Sequence, residues 1–412
     1  MDDQGRGGQG YCPLGLGGFP LFSSRIHLGY FQRMIAIRPK MLMTMLECGF
    51  GHKAPAIAVR DAIEDSFPDM FQVDVVDFAK VSGANGADEL IKKSWDFSLA
   101  FPPPARIGYL LIELAGERKE YLDVLFREFV VKGMAYIRDY APDLLFSTHP
   151  LCTYIAVKAR ETLGLSYRLV TYVVDPFDGY SWWAEEGSDY TLVASERSKE
   201  RLIKHGLSPR KLKVIGFPIS KSFMHVDSDP KEMIRHLGLN PANRTILVSA
   251  GGQGIGKVFM YVERLAMLKL PINVITVAGK SARTRKRMDR LVKLSSNTRV
   301  ASLGYVHNMN ELVAAADAVV GKAGASTAME SIFLEKPMII TEWSTYNDRY
   351  IINFMLDYRI GLYCPTLHSF LRAMREIAEY DKLGVCAENL AGLSMKPGTD
   401  DVARFLAGQL GF

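Results

Sequence analysis

The feature that most constrains the fold is the stretch 316–353, in which two apolar runs flank a small-residue loop and a helical pattern. The run 318–320 stops at Gly321, and the run 338–340 follows Pro337. Apolar runs without alternation are typical of strands that are covered on both faces, so this stretch predicts a strand–loop–helix–strand unit of a parallel sheet. The loop then lies at the carboxyl end of a strand, where open α/β sheets bind ligands and backbone N–H groups suit phosphate.

Glu330 has two interpretations within this unit. Thr327-x-x-Glu330 has the spacing of a capping box, in which the Glu closes the start of a helix. Alternatively, the carboxylate accepts two hydrogen bonds from a ribose diol. The spacing alone favours the cap, because such caps are common.

Similar units repeat along the chain. In the amino half the sequence predicts strands at 41–46, 71–76, 144–146, 167–174, 190–194 and 211–216, with a helix at 54–67. A second series begins at 245–248 and continues through 272–277 and 300–303 to the stretch described above. A length of 412 residues suits two domains of roughly 150–200 residues each.

Composition limits the class of protein. The net charge of +5 permits binding to an anionic surface without requiring it. Five cysteines, an odd number without a CxxC pair, indicate a reducing compartment and argue against a disulfide or metal framework. No apolar run reaches the roughly 18 residues of a membrane span, so we expect any membrane contact to be peripheral. The glycine-rich residues 1–40 are interpreted as disordered or as an upstream extension of the gene.

The glycine loops have a closer resemblance. Gly321-Lys322-Ala323-Gly324, with Glu330, Pro337, Asn347 and Asn353, resembles the donor-nucleotide signature of two-domain inverting glycosyltransferases. The group most similar to the chain is that of the monogalactosyldiacylglycerol synthases and diacylglycerol glucosyltransferases, which are related to the peptidoglycan enzyme that adds N-acetylglucosamine to lipid I. The resemblance implies the α/β fold called GT-B, two Rossmann-like domains facing a cleft, and it implies that Glu330 holds the ribose. The family usually has Gln where Asn347 stands.

The resemblance also gives domain boundaries and a donor site. It implies an acceptor domain at 41–218, a UDP-sugar donor domain at 219–385 and a last segment, 386–412, that packs back on the first domain. The donor-binding residues that it implies are Gly251, Gly252, Gln253, Gly254, Val306, Lys322, Ala323, Gly324, Ala325, Glu330, Asn347 and Asp348. The glycine loop after 245–248 would hold the pyrophosphate, and main-chain groups near Val306 would hold uracil.

Three polar residues are candidates for the acceptor side. His52 follows Gly49-Phe50-Gly51, which matches the family's first glycine loop; it is either a surface histidine at a helix start or the general base, and this context favours the base. Asp175 ends a buried strand and either polarises His52, contacts the acceptor or forms a turn with Pro176. His149 either orients a group in the cleft or caps the helix that follows it.

The segment 90–112 mixes basic and aromatic side chains, a composition that suits the headgroup boundary of a bilayer. The alternative is a pair of helices whose aromatic residues face the core. Because related lipid glycosyltransferases meet the membrane here, the resemblance favours the membrane. The acceptor-side or membrane residues predicted are Gly51, His149, Lys92, Lys93, Trp95, Phe97, Arg106 and Tyr109.

The sequence and the resemblance together predict an inverting transfer of a hexose from a UDP-sugar to the hydroxyl of diacylglycerol. No cofactor is expected besides the UDP-sugar co-substrate, and no metal, since the Asp227-Ser228-Asp229 pattern lies in a polar segment without a rigid scaffold. The expected location is the cytoplasm, attached peripherally to an anionic membrane surface, with no nucleic-acid partner. Transfer to a polyprenyl-linked acceptor, a UDP-sugar 2-epimerase and a non-enzymatic binding protein remain alternatives.

Overall fold

The computed structural model describes residues 38–47, 51–101, 103–116, 119–249, 251, 256–294 and 297–412. Each half of this part of the chain contains a six-stranded parallel sheet. The strands of the first sheet are β1 Lys40–Met45, β2 Gln72–Asp77, β3 Leu144–Ser147, β4 Arg168–Tyr172, β5 Tyr190–Val193 and β6 Leu212–Val214. Those of the second sheet are β7 Arg244–Ser249, β8 Ile272–Val277, β9 Arg299–Leu303, β10 Ala318–Lys322, β11 Met338–Glu342 and β12 Gly361–Tyr363.

Helices connect the parallel strands. Those of the first half are α1 Lys53–Ser66, α2 Phe78–Val81, α3 Asn85–Ala100, α4 Pro103–Ala115, α5 Tyr121–Leu125, α6 Arg127–Tyr140, α7 Pro150–Leu163 and α8 Glu196–Lys204. Those of the second half are α9 Pro230–His236, α10 Val258–Ala266, α11 Ala282–Leu294, α12 Met309–Ala315, α13 Ala325–Phe333, α14 Asp348–Asp357, α15 Leu367–Glu379, α16 Gly384–Ala391 and α17 Thr399–Gln409. Within the described residues, no helix is long and apolar enough to cross a bilayer.

The sheet orders explain where a site can form. They are β2-β1-β3-β4-β5-β6 and β12-β11-β10-β7-β8-β9, with every neighbouring pair parallel. The carboxyl ends of all strands in one sheet therefore lie along one edge, and in each sheet the chain reverses direction beside its first strand. Open α/β sheets bind ligands at such a reversal point. This is the predicted α/β architecture of two Rossmann-like halves.

The chain crosses between the halves twice, after β6 and before α17, and the two crossing segments are hydrogen-bonded to each other. Gly216 has φ +86°, and a Cβ there would lie 2.6 Å from the Lys396 carbonyl oxygen, so a residue without a side chain is required. Just after it, the Thr399 hydroxyl donates to the Ile219 carbonyl oxygen (2.7 Å) and accepts from the Ile219 N–H (2.9 Å). α17 then packs against α1, with Leu406 and its apolar neighbours fully buried. The predicted domain boundaries stay a prediction.

Gly321 of β10 pairs with Ser249 of β7. The register of β10 against β11 shifts between Gly321 and Lys322, and a Cβ on Gly321 would lie 2.5 Å from the Ser249 carbonyl oxygen. A separation under 3 Å from a backbone atom forces the two strands apart.

We therefore expect Gly321→Ala to destabilise the fold by about 2–4 kcal/mol, because the strained contact joins two central strands. The matched control is Gly108→Ala in α4, where nothing lies within 4 Å of the added Cβ. That change should stabilise by about 0.5–1 kcal/mol through helix propensity. Urea unfolding of both variants measures the two effects, and equal stabilities would contradict the proposed clash.

Candidate active site

His52 and Thr148 form a reciprocal pair at the carboxyl edge of the first sheet. The His52 Nδ1–H donates to the Thr148 carbonyl oxygen (2.5 Å), and the Thr148 hydroxyl donates to the His52 carbonyl oxygen (2.9 Å). This bond fixes the neutral tautomer of His52 in which Nε2 has no proton. Burial lowers the pKa of His52 to about 4, so the ring is neutral at physiological pH.

His149 lies beside His52, with ring centroids 4.6 Å apart. Its Nδ1 accepts from the Leu151 N–H (3.2 Å) at the start of α7, so the capping alternative describes what the structure contains. Nε2 then has the proton of His149. Burial, together with the neighbouring His52, lowers the pKa of His149 well below the usual histidine value. The two rings therefore present different hydrogen-bonding groups: Nε2 of His52 is an acceptor, and Nε2–H of His149 is a donor.

Asp175 joins the two halves of the protein. Its carboxylate accepts from Trp183 Nε1–H (2.7 Å) and from the Asn347 side-chain amide. Burial, and secondarily the nearby Asp178 carboxylate, raises the pKa of Asp175 to about 7. The prediction that Asp175 polarises His52 is wrong for this conformation, because the Nδ1–H of His52 donates to Thr148 instead. An aspartate on the first sheet and a predicted donor residue of the second half are thus in direct contact.

On the donor side the chain leaves β10 through Lys322, Ala323 and Gly324. The Ala323 N–H donates to the Glu342 carbonyl oxygen (3.0 Å), and the Gly324 N–H donates to the Lys322 carbonyl oxygen (2.7 Å). α13 begins directly afterwards, at Ala325. The end of β10 is thereby fixed against β11, and the loop opens at a helix N-terminus.

Glu330 does not cap this helix. The N-cap of α13 is Gly324, without a side-chain cap, so the capping-box interpretation of Thr327 and Glu330 is wrong. Glu330 lies one and a half turns further along, partly exposed, and burial raises its pKa to about 7. Because the Glu330 carboxylate does not cap α13, it is available to a ligand.

The other predicted donor residues lie at the same edge. Asp348 accepts from the N–H groups of Ser344 (2.7 Å) and Thr345 (3.2 Å), so it shapes the loop before α14. Val306 follows β9 and packs against the core. Gly251 has φ +74° just after β7. The predictions for Gly252, Gln253 and Gly254 fall outside the described residues.

The predicted membrane residues divide into two groups. Lys92 forms ion pairs with Asp77 (3.0 Å) and Asp88 (2.7 Å), and Lys93 pairs with Glu89 (2.6 Å). Trp95 is half-buried against the core, whereas Phe97 is 56% exposed.

Arg106 and Tyr109 turn inward. Arg106 Nη2 donates to the Trp343 carbonyl oxygen (2.8 Å), and the buried Tyr109 donates to Asp178 (2.6 Å). Of the two alternatives for Tyr109, contact with the membrane is not what the structure contains, because the residue is only 7% exposed, and its role on the acceptor side stays a prediction. One face of the segment 103–115 forms part of the cleft. The mixed composition of the segment did not indicate this position.

Sequence reasoning missed two parts of this site. The partner that orients His52 is the backbone carbonyl of Thr148, for which no side-chain signal exists. Trp343 and Tyr346, the contacts of α4 in the second half, have only their aromatic character after a buried strand as a signal. Within the described residues, no three His, Cys, Asp or Glu side chains converge as a metal site would require.

Two family models match the chain. Residues 52–219 match the family model described as monogalactosyldiacylglycerol (MGDG) synthase, and residues 245–350 match the glycosyltransferase family 28 C-terminal domain. The chain is thus similar to MGDG synthases in its first half and to family 28 glycosyltransferases in its second half. It is a UDP-sugar-dependent glycosyltransferase.

Curated monogalactosyldiacylglycerol synthases are similar to this chain over most of its length. It is 24% identical over 340 residues to the probable monogalactosyldiacylglycerol synthase 2, chloroplastic, of Oryza sativa subsp. japonica, covering 80% of this chain and 72% of the relative. It is 22% identical to monogalactosyldiacylglycerol synthase 2, chloroplastic, of Arabidopsis thaliana, covering 88% and 79%.

Solved structures agree on the fold. The Acinetobacter baumannii MurG structure aligns with a TM-score of 0.59 at 14% identity, covering 90% of this chain and 100% of that one. Anabaena Alr3699/HepE in complex with UDP and glucose aligns with a TM-score of 0.53 at 15% identity, covering 90% and 99%. The predicted GT-B fold is therefore confirmed.

If Glu330 holds a ribose diol as a carboxylate, the affinity for a UDP-sugar should depend on pH. With a pKa of about 7, the carboxyl gains a proton as the pH falls through neutrality and loses its capacity to accept two hydrogen bonds. Calorimetric titration with a UDP-sugar should give weaker binding at about pH 6 than at about pH 8. Glu330→Gln should bind weakly at both pH values.

The same pKa gives an independent check on stability. A carboxyl whose pKa is raised on folding contributes its stability below its ordinary pKa and loses it as the pH rises through the raised value. Glu330→Gln should therefore be more stable than the parent by about 1–2 kcal/mol at about pH 8, and the difference should shrink toward zero at about pH 5. Loss of stability at about pH 8 would contradict the raised pKa.

Proposed function

We propose that the protein is an inverting glycosyltransferase that moves a hexose from a UDP-sugar to the free hydroxyl of diacylglycerol. The observation that supports this most directly is the neutral His52, whose proton is on the side of Thr148 and whose Nε2 is free to accept another. The names of the curated relatives, which are monogalactosyldiacylglycerol synthases, support the lipid acceptor. A UDP-sugar and diacylglycerol are therefore the proposed partners.

The proposed step is a single displacement. His52 Nε2 takes the proton of the acceptor hydroxyl while the oxygen attacks the anomeric carbon of the sugar. The bond from that carbon to the UDP oxygen breaks, and UDP leaves with the bonding electron pair. Attack from the face opposite the leaving group inverts the anomeric centre. His52 then releases its proton to solvent.

The donor site would hold UDP through backbone groups and one carboxylate. The N-terminus of α13, which directly follows Lys322–Gly324, would offer N–H groups and positive potential to a diphosphate. Glu330 would accept hydrogen bonds from the ribose. With these groups stabilising the leaving diphosphate, we propose a reaction without a further cofactor.

Asp175 and Asn347 would position the two substrates relative to each other. Their hydrogen bond links the end of the β4 strand to the loop before α14. Asp175 is a positioning residue in this scheme, since its contacts are Trp183 and Asn347. His149, with its proton on Nε2, would donate to the acceptor.

Peripheral attachment to a membrane is proposed from the surface of the first half. Large apolar side chains are exposed on three successive helices, α3 to α5, and Leu114 and Val124 are 82% and 83% exposed. An acceptor that resides in a bilayer requires such a surface near the cleft. The net charge of +5 is consistent with an anionic membrane and with a cytoplasmic location.

The first test measures UDP release and glycolipid product with a panel of UDP-sugars, with and without diacylglycerol in mixed micelles. We expect release to require one sugar together with diacylglycerol. Release with a polyprenyl-linked sugar instead, or appearance of an epimerised UDP-sugar, would contradict the proposal.

The second test replaces the base. His52→Ala should lower kcat by about 10²–10⁴-fold, because the acceptor loses its general base, while the affinity for UDP stays unchanged. The matched control is His236→Ala, which removes an exposed histidine at the end of α9 and should leave kcat unchanged. Unchanged turnover in His52→Ala would overturn the assignment of the base.

A further inference from the structure

Helix α4 contacts both halves of the protein through one face. Arg106, Tyr109 and Glu113 are spaced three and four residues apart, so they lie on the same side of the helix. The Glu113 carboxylate accepts from the Ser181 N–H (2.8 Å) and from Arg201 Nη2 (2.9 Å). These bonds anchor the carboxyl end of α4 to the first half.

The amino end of the same face contacts the second half. The Arg106 guanidinium lies 3.3 Å from the ring centroid of Trp343 and donates to its carbonyl oxygen. The Tyr109 ring stacks on Tyr346 with centroids 5.1 Å apart and planes inclined by 20°. A guanidinium over a tryptophan face is a favourable contact, and more so when water is excluded.

The segment that α4 holds belongs to the donor site. Residues 343–348 run from the end of β11 to the start of α14, and they include Asn347 and Asp348. Asp348 folds this segment by accepting from its N–H groups, and Asn347 donates to Asp175. Arg106 therefore fixes one end of a segment whose other end contains the predicted donor residues Asn347 and Asp348.

The solvent-facing side of α4 is apolar. Its side chains are spaced at helical intervals, and they are 58%, 44%, 60% and 82% exposed for Ile107, Leu110, Leu111 and Leu114. A helix of 13 residues is about 20 Å long, too short to span a bilayer but suited to lie in its surface.

A series of rings joins α4 to the proposed base, so this helix lies beside the acceptor side of the cleft. Tyr109 contacts Tyr180 (5.3 Å), Tyr180 contacts Trp183 (6.2 Å), and Trp183 contacts His52 (6.3 Å), each distance measured between centroids. An apolar face that adjoins the site of a lipid acceptor has one fitting occupant, the bilayer that supplies the acceptor.

We propose that α4 is a clasp that couples bilayer docking to closure of the donor site, with Arg106 and Tyr109 as its positioning residues. The bilayer as occupant rests on the proposed function. A bilayer that binds α4 more tightly when α4 contacts the segment 343–348 shifts the population toward this closed arrangement. Bilayer binding thereby raises the affinity for the UDP-sugar, although the two ligands bind at separate places.

The experiment measures the dissociation constant of a UDP-sugar by calorimetry on the full chain, without vesicles and with phosphatidylcholine–phosphatidylglycerol vesicles that lack diacylglycerol. Vesicles should tighten binding to the parent protein by about tenfold, the factor of a modest coupling free energy. Arg106→Leu should bind vesicles equally in co-sedimentation and lose the tightening. Arg210→Leu, which changes an exposed arginine before β6, is the matched control and should retain it.

A second variant keeps the test decisive if Arg106→Leu fails to fold. Tyr109→Phe retains the ring that stacks on Tyr346 and removes only the hydrogen bond to Asp178, so it should retain part of the tightening. With diacylglycerol present, the loss in Arg106→Leu should raise KM for the UDP-sugar more than it lowers kcat, and Arg106→Lys should restore part of it.

Equal UDP-sugar affinity with and without vesicles in the parent protein, or full tightening in Arg106→Leu, would overturn the clasp. These outcomes are distinct from failure of the proposed function, which appears as absence of transfer to diacylglycerol. Because the vesicles contain no acceptor, the coupling is measured whether or not transfer occurs.

Discussion

The site depends on one hydrogen bond, from His52 Nδ1–H to the backbone carbonyl of Thr148. It fixes the tautomer, and burial keeps the ring neutral, so that Nε2 is an unprotonated acceptor facing the cleft side of the first sheet. A backbone partner positions the ring as rigidly as the sheet edge itself, because Thr148 directly follows β3. A carboxylate partner would instead raise the pKa of the imidazole and stabilise its charged form. The protein uses its nearby carboxylate differently, since Asp175 bonds to Trp183 and to Asn347 across the cleft.

Two separate sets of contacts hold the two halves of the protein together around the His52–Thr148 hydrogen bond. At the crossings, Gly216 and Thr399 bring two backbone segments into direct contact. At the cleft, the Asp175–Asn347 hydrogen bond and the α4 contacts join the acceptor edge to the segment 343–348. In a glycosyl transfer the acceptor oxygen must lie close to the anomeric carbon, so contacts that hold the two halves together also bear on catalysis.

Much of the fold follows from the sequence because its strands are covered on both faces. The apolar runs at 41–46, 272–277 and 318–320 coincide with β1, β8 and β10 to within a residue or two. The helices within 85–140 are harder to predict from the sequence, because each exposes apolar side chains that an ordinary amphipathic helix would bury. Glu330 shows where spacing alone fails. Helix α13 begins at Ala325, directly after the end of β10 and its register shift at Gly321, and not at the position that the Thr327-x-x-Glu330 pattern indicates. Contacts such as Arg106 with Trp343, 237 residues apart, have no local signal.

To act as the base, His52 must enter the reaction neutral, with its proton on Nδ1. Nitrogen-15 NMR of the imidazole rings in the full chain measures this protonation state, with His52→Ala used to assign the signal. We expect an Nδ1–H tautomer of His52 at neutral pH that persists until the pH approaches about 4. A proton on Nε2, or an imidazolium near neutral pH, would overturn the assignment of the base, because Nε2 in either form cannot accept the proton of the acceptor hydroxyl.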